Sequence, residues 1–417
     1  MHGTTDTLGR RRTRRAIAMT AAATLALGGC SLTGGGSDAG PKPDKPAVSA
    51  ARFTLTPQDG SDGVAPETVV SVGAGGGRLT EVALTAADGA PVAGTMSQGG
   101  ASWRSTEPLG YGTAYTVRAT AVDEDGLATT RTSTFTTATP KSLIGIKTIT
   151  PENGATVGVG MPISVEFDHE IKSPVVRAAV EARLAVATST PVEGAWGWVD
   201  DSTVRFRPKE YWPAGTKVSV TGNLRGLPMG DDGAYGADGS GVDFAVGSAV
   251  ITTVDSAAHV MTVARDGEVL RTVPVTTGKP GFTTRSGTKV ILGKEEHVLM
   301  DGTTVGIAEG SSDAYRLDVY WATRVTWSGE YLHAAPWSVG SQGVANVSHG
   351  CVGMSTEDAR WYFGVVKVGD VVNVVNTGSD KAMETTGNGY GEWNLPFDRW
   401  LESSAAGAVT TGTPTAA

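Results

Sequence analysis

The sequence predicts a mainly β chain: two β-sandwiches in tandem, then a third β-rich domain carrying one or two short helices. Three observations lead there. Only 18% of the residues are charged while 57 of the 417 are glycine, nearly twice the usual share of about 7%. Short Val- and Thr-rich segments alternate with Gly, Asp and Pro turns at roughly 8 to 12 residue spacing, the mark of sandwich architecture. A segment of about 100 residues occurs twice, and past residue 248 the pattern changes to hairpin-linked strands and one good helix signal. At roughly 150 residues per domain the length suits two to four domains. An apolar share of 40% argues against a disordered chain.

The N-terminus reads as an address. Arg10 to Arg15 form a basic region, Ala16 to Leu27 a small and apolar run, and Leu27-Gly28-Gly29-Cys30 closes it. The run is too short to span a bilayer as a helix of about 20 residues, so residues 1–29 are expected to be a signal peptide. The Leu-Gly-Gly-Cys ending resembles the lipobox of bacterial lipoproteins. That resemblance implies cleavage before Cys30, lipidation of its sulfur, and anchoring to the outer face of the plasma membrane, an extracytoplasmic location. Residues 30–47, rich in Gly, Pro and Ser, then read as the anchor and a flexible tether. Loss of residues 1–29 leaves 29 basic against 42 acidic residues, a net charge of -13 in place of -9. Such a balance argues against nucleic acid or anionic lipid as a partner.

The repeat supports the two sandwiches. Thr56-Pro57-Gln58-Asp59-Gly60 recurs as Thr150-Pro151-Glu152-Asn153-Gly154, and Gly112-Thr113-Ala114-Tyr115-Thr116-Val117 recurs as Gly215-Thr216-Lys217-Val218-Ser219-Val220. Each copy closes on a Phe-containing strand, at Phe135 or Phe244. We assign immunoglobulin-like architecture to 48–140 and 141–247, without a cysteine pair, as spacer and orienting modules. Trp196, Trp198, Tyr211 and Trp212 suit core packing, with glycan binding as the sharper alternative.

The third domain is expected over 248–378. Two β-runs flank Asp266-Gly267, a strong hairpin signal, and further runs follow at Lys289 to Leu292, Tyr315 to Trp321 and Arg324 to Trp327. Ser355-x-x-Asp358 resembles a capping box opening a helix, and Val371 to Val375 reads as a closing strand. Residues 379–403 are expected as an extension packing on this domain, and 404–417, mostly Ala, Gly, Thr and Pro, as a disordered tail.

Chemistry concentrates in one stretch. With Cys30 lipidated, Cys351 has no disulfide partner, and two of the six histidines, His333 and His349, lie just before it. A thiol needs a neighbouring base to act as a nucleophile at neutral pH. His349 shares a strand face with Cys351 at that spacing, yet stands about 7 Å away along the axis. His333 can approach from a neighbouring strand and is preferred as base. Gly350 suits a tight turn in which backbone N–H groups converge on an oxyanion.

His333-Ala334-Ala335-Pro336-Trp337 followed by Ser348-His349-Gly350-Cys351 resembles the active-site signature of the L,D-transpeptidases of bacterial cell walls. Supporting matches run through Val275 to Gly281, Val298 to Asp301, Tyr315 to Asp318 and Gly387 to Trp393. The sandwiches and lipobox resemble the multidomain members from actinobacteria. The resemblance implies Cys351 as nucleophile, His333 as general base, and the Ala334 carbonyl as its orienting partner. It implies that Ser348 and His349 shape the site, that Gly350 and Cys351 supply the oxyanion backbone, and that Tyr315, Met300 and Trp337 line the cleft. Peptidoglycan stem peptides are the implied substrates and β-lactams of the carbapenem type the implied inhibitors; no cofactor or metal is implied. The implied reaction is 3→3 cross-linking through a thioester on a tetrapeptide donor, with L,D-carboxypeptidase activity if water is the acceptor. Gly353 and Val347 depart from the pattern, where Arg or Asn and Thr are usual. A non-catalytic wall-binding lipoprotein is the reading Gly353 would favour, and a zinc site from His333, His349 and Cys351 is the chemical alternative. Sortases and Cys/His endopeptidases fit less well, the first for want of an Arg on the Cys strand and the second by residue order.

Overall fold

Alternation of side chains along the strands sets the architecture. In Ala114–Val122 every second residue from Tyr115 to Ala121 is buried, so one face packs inward at a period of two. A computed structural model describes residues 48–230 and 233–412. The expected signal peptide, Cys30, the tether and residues 413–417 lie outside the described residues. From Ser49 onward the chain is one unit, mainly β with few helices.

The first sandwich pairs a four-stranded with a five-stranded sheet. Val72, Leu84, Trp103, Tyr115, Val117 and Phe135 are among its core residues; each large apolar side chain taken fully out of water contributes on the order of 1.5–3 kcal/mol. The second repeats the scheme with sheets of five and four strands. The repeated motifs occupy equivalent ladders: Tyr115 stands opposite Phe135 in one, Val218 opposite Phe244 in the other. Trp196, Trp198 and Trp212 are buried in the second core, and the Trp212 Nε1–H donates to Met161 O at 2.7 Å. Their apolar faces are therefore spent on packing, which removes the glycan-binding alternative for these three.

Two expectations are corrected. The second sandwich holds a helix, Pro174–Glu181, that the sequence reading missed; Ser173 caps it and Pro174 starts it. The expected disordered tail is ordered through Gly412. Ala408–Thr410 adds antiparallel to Glu193–Trp198, and the buried Glu181 carboxylate accepts from Ala405 N, Ala406 N and Ser404 Oγ. Composition suggested disorder there because the order comes from backbone bonds to a sheet edge rather than from apolar side chains.

The extension before it packs on two domains, not on the catalytic domain alone. Asn394 accepts from Thr288 N and donates to Thr288 O, both at 2.8 Å. Towards the second sandwich, Arg205 pairs with the buried Glu392 at 3.2 Å. Trp400 sits over Gly197, where a Cβ would come within 2.5 Å of the indole.

The third domain opens with a five-stranded sheet in the order Glu268–Pro274, Val260–Arg265, Val250–Asp255, Val371–Val375, Gly287–Val290. Asp266 and Gly267 both have positive φ, 51° and 90°, as a two-residue hairpin of this twist requires. A second sheet runs Gly293–Asp301, Arg316–Arg324, Tyr331–Ala334, Val352–Met354. Ser355 caps the helix Thr356–Val365 by accepting from Asp358 N, and this helix packs against the second sheet, burying Ala359 and Tyr362. The last two strands of that sheet carry the site.

Candidate active site

The strands Tyr331–Ala334 and Val352–Met354 run parallel, with His333 opposite Gly353. Residues two apart share a strand face, so Cys351, immediately before its strand, lies on the His333 side. Both line a cleft of about 240 Å³, together with Met300, Tyr315, Trp337 and Ser348.

His333 is 6% exposed. Its Nδ1 lies 2.8 Å from Ala334 O; a carbonyl only accepts, so Nδ1 carries the proton and Nε2 is left with its lone pair. Burial pushes the imidazole below its ordinary value, the hydrogen bond to Ala334 O opposing. The ring is therefore neutral, as a base must be. The Cys351 thiol is pushed up to about 12 by burial, with a hydrogen bond from Tyr331 N–H opposing. Sγ lies 3.6 Å from Gly329 O, to which the S–H donates. The resting pair is thus thiol and neutral imidazole.

Ser348 organises the turn before the thiol. Its hydroxyl donates to Cys351 O at 2.6 Å and accepts from Gly350 N at 3.1 Å. Gly350 has φ +125°, open to glycine and strained for other residues. The expectation of a Gly350 N–H facing an oxyanion is therefore corrected: Ser348 Oγ takes that hydrogen.

His349 also lines the cleft but is turned to its rim. Its Nε2 lies 3.3 Å from Asp313 Oδ1, while Lys279 Nζ reaches the same oxygen at 2.6 Å. The ring packs edge-on to Phe282 and tilted against Tyr315. Two candidate bases precede Cys351 in sequence, and the fold ties one to a carboxylate at the rim and buries the other in the floor of the cleft. Among the described residues no group of three side chains could hold a metal, and the turning of His349 to Asp313 splits the three zinc candidates. His169 and His297 pair with surface aspartates and His259 with Asn346, away from this cleft.

Sequence reasoning missed Asp313 and Lys279, far from the motif in the chain and joined only by folding. It also left Gly353 unexplained. A Cβ there would come within 2.9 Å of the Ala335 Cβ and 3.0 Å of the Thr276 Cγ2, while the Gly353 backbone bonds to Thr276 in both directions. Ala335 and Thr276 occupy the space a side chain would need. Val347 is tied through its N–H to Thr276 Oγ1 and lines the cleft with its side chain.

A thiol and a correctly tautomerised imidazole on one face of adjoining strands, carried behind two sandwiches, define a multidomain enzyme suited to acyl transfer through sulfur. Residues 249–374 match the L,D-transpeptidase catalytic domain, and 61–228 match a bacterial Ig domain. L,D-transpeptidase 2 of Mycobacterium tuberculosis is 38% identical over 408 residues, 95% of this chain and 97% of that protein. L,D-transpeptidase 5 of the same organism is 36% identical over 373 residues, 87% and 79%. A solved L,D-transpeptidase in complex with imipenem is 42% identical with a TM-score of 0.49, covering 56% of this chain and 100% of that one. The chain belongs to the L,D-transpeptidases, and it is an L,D-transpeptidase enzyme.

Proposed function

We propose that this enzyme forms 3→3 peptidoglycan cross-links through a thioester on Cys351, with His333 as the general base. The observation that carries the assignment is the His333 tautomer: Nδ1–H is held by Ala334 O, leaving Nε2 able to take the thiol proton. Because both groups are neutral at rest, the proton moves as the sulfur attacks the carbonyl of the third residue of a tetrapeptide stem. The S–C bond forms, the bond to the terminal D-Ala breaks, and that D-Ala leaves with the proton from His333. A side-chain amine of a second stem then attacks the thioester, so that the C–N bond forms, the C–S bond breaks, and the amine proton passes through His333 to the departing sulfur.

Tyr315, Met300 and Trp337 line the donor's path, and the Cys351 N–H is the backbone donor assigned to the oxyanion. Acylation of the same sulfur by a carbapenem follows from the chemistry, since a strained lactam carbonyl replaces the stem carbonyl. Lipidation at Cys30 and a position on the outer face of the plasma membrane complete the proposal, resting on the lipobox-like Leu27 to Cys30. The test is incubation with purified disaccharide-tetrapeptides followed by mass spectrometry. The expected product is a dimer one D-Ala lighter than its two parents, missing in Cys351→Ala; monomeric tripeptide alone would assign the carboxypeptidase reaction instead.

A further inference from the structure

Behind the cleft lies a group of charges that the mechanism above does not use. Lys289, in the strand Gly287–Val290, is 0% exposed. Its ammonium reaches from the first sheet to Glu330, at the head of the His333 strand, with Nζ 2.6 Å from Oε2. The other carboxylate oxygen accepts from Arg285 N and Nη1, both at 3.1 Å, and Arg285 also pairs with Glu384 at 2.9 Å. A buried ion pair is weak evidence for stability, because desolvation offsets much of the attraction. Its place in the structure is more informative.

Glu330 packs beside the turn that carries the thiol. A Cβ on Gly350 would stand 3.8 Å from Glu330 Oε1, and Thr284 Oγ1, next to Arg285, donates to Gly350 O at 2.8 Å. Residues 284 and 285 thus hold the Gly350 turn and the Glu330 carboxylate together. The sulfur itself bonds to residues on either side of Glu330, accepting from Tyr331 N–H and donating to Gly329 O.

We propose that Lys289 and Glu330 are positioning residues for catalysis, a charge pair that seats the Cys351 turn against the His333 strand and sets the electric field at the sulfur. The inference rests on Cys351 being the nucleophile. The titratable groups around the thiol are Lys289 from the first sheet, Glu330, Tyr331 and His333 from the second, Tyr315 and His349 from the cleft lining, and Arg285 at one remove through Glu330. Among them Glu330 pushes the thiol up and Lys289 pulls it down. Burial pushes the Lys289 ammonium down, and Glu330 opposes this. Losing Lys289 therefore leaves a carboxylate beside the sulfur, still held by Arg285. Losing Glu330 removes the stronger influence and lets the buried lysine shed its proton. The two losses act on the thiol in opposite directions.

The experiment is the alkylation rate of Cys351 by iodoacetamide in the full chain from pH 6 to 11, with carbapenem adduct formation by the unaltered protein as control. Lys289→Met should move the rate profile to higher pH and slow alkylation about tenfold at pH 8, a tenfold change being one pKa unit. Glu330→Gln should move it to lower pH and speed alkylation, and the double variant, which likewise leaves no charge on either group, should follow Glu330→Gln. If Lys289→Met does not fold, the direction of the Glu330→Gln shift alone decides. Unchanged profiles, or slowing in both single variants, overturn the inference; an unaltered protein that forms no adduct overturns the nucleophile assignment instead.

Discussion

Two histidines precede one thiol in the sequence, and the floor and the rim of the cleft treat them differently. His333 is buried, tied to a carbonyl and pushed below its ordinary value by desolvation. His349 is half-buried and tied to a carboxylate that Lys279 also holds. Lys279 and His349 hold the Asp313 carboxyl below the usual range, the lysine hydrogen bond most strongly. The carbonyl fixes the His333 tautomer and favours its cation, but burial outweighs that and keeps the ring neutral. The lesson is that proximity in sequence to a nucleophile does not choose its base. Burial and the tautomer fixed by the second ring nitrogen do.

The sharpest way to break this comparison is to remove the floor histidine. His333→Ala should slow acylation about 10²- to 10⁴-fold, the usual span for a general base, measured by stopped-flow with a chromogenic β-lactam. The next effect is one of pH. Burial lowers the His333 value, so the neutral base persists below the ordinary histidine value of about 6.5. The acylation rate should stay level down to about that pH and fall only beneath it. Direct alkylation of the thiol, whose value lies at about 12, should instead keep rising through the alkaline range. A fall in acylation setting in above pH 7 would place the base outside the buried site.

Gly353→Val tests the packing of the floor. Its Cβ would press on Ala335 and Thr276, and overpacking of this kind costs typically about 1–3 kcal/mol, read from urea denaturation. The rim should matter least. Asp313→Ala frees Lys279 and His349, but partly exposed ion pairs contribute about 0–1 kcal/mol. The expected change is therefore at most about fivefold, in KM for the donor and not in the acylation step.

Much of this was readable from residues adjacent in sequence. Ser348 to Cys351, His333 with its following carbonyl, the Asp266-Gly267 turn and the Ser355 cap are local patterns whose physics acts within a few residues. The Ser173-Pro174 helix start was equally local and was overlooked amid β-signals. Other features were not legible because they join distant segments. Lys289 meets Glu330 across 41 residues, and Asp313 meets His349 across 36. Ala408–Thr410 is ordered by a sheet edge more than 200 residues earlier, which no property of its small side chains announces. The oxyanion assignment of Gly350 failed for a related reason, since the local motif does not reveal that the Ser348 hydroxyl takes its N–H.

The most direct test of the central claim is intact mass spectrometry of the full chain after timed exposure to a carbapenem, alongside Cys351→Ala, His333→Ala and Asp313→Ala. The expected result is a one-to-one adduct that is lost with Cys351, forms at least about a hundredfold more slowly without His333, and forms at nearly the normal rate without Asp313. An adduct that survives Cys351→Ala, or one that needs Asp313 more than His333, would contradict it.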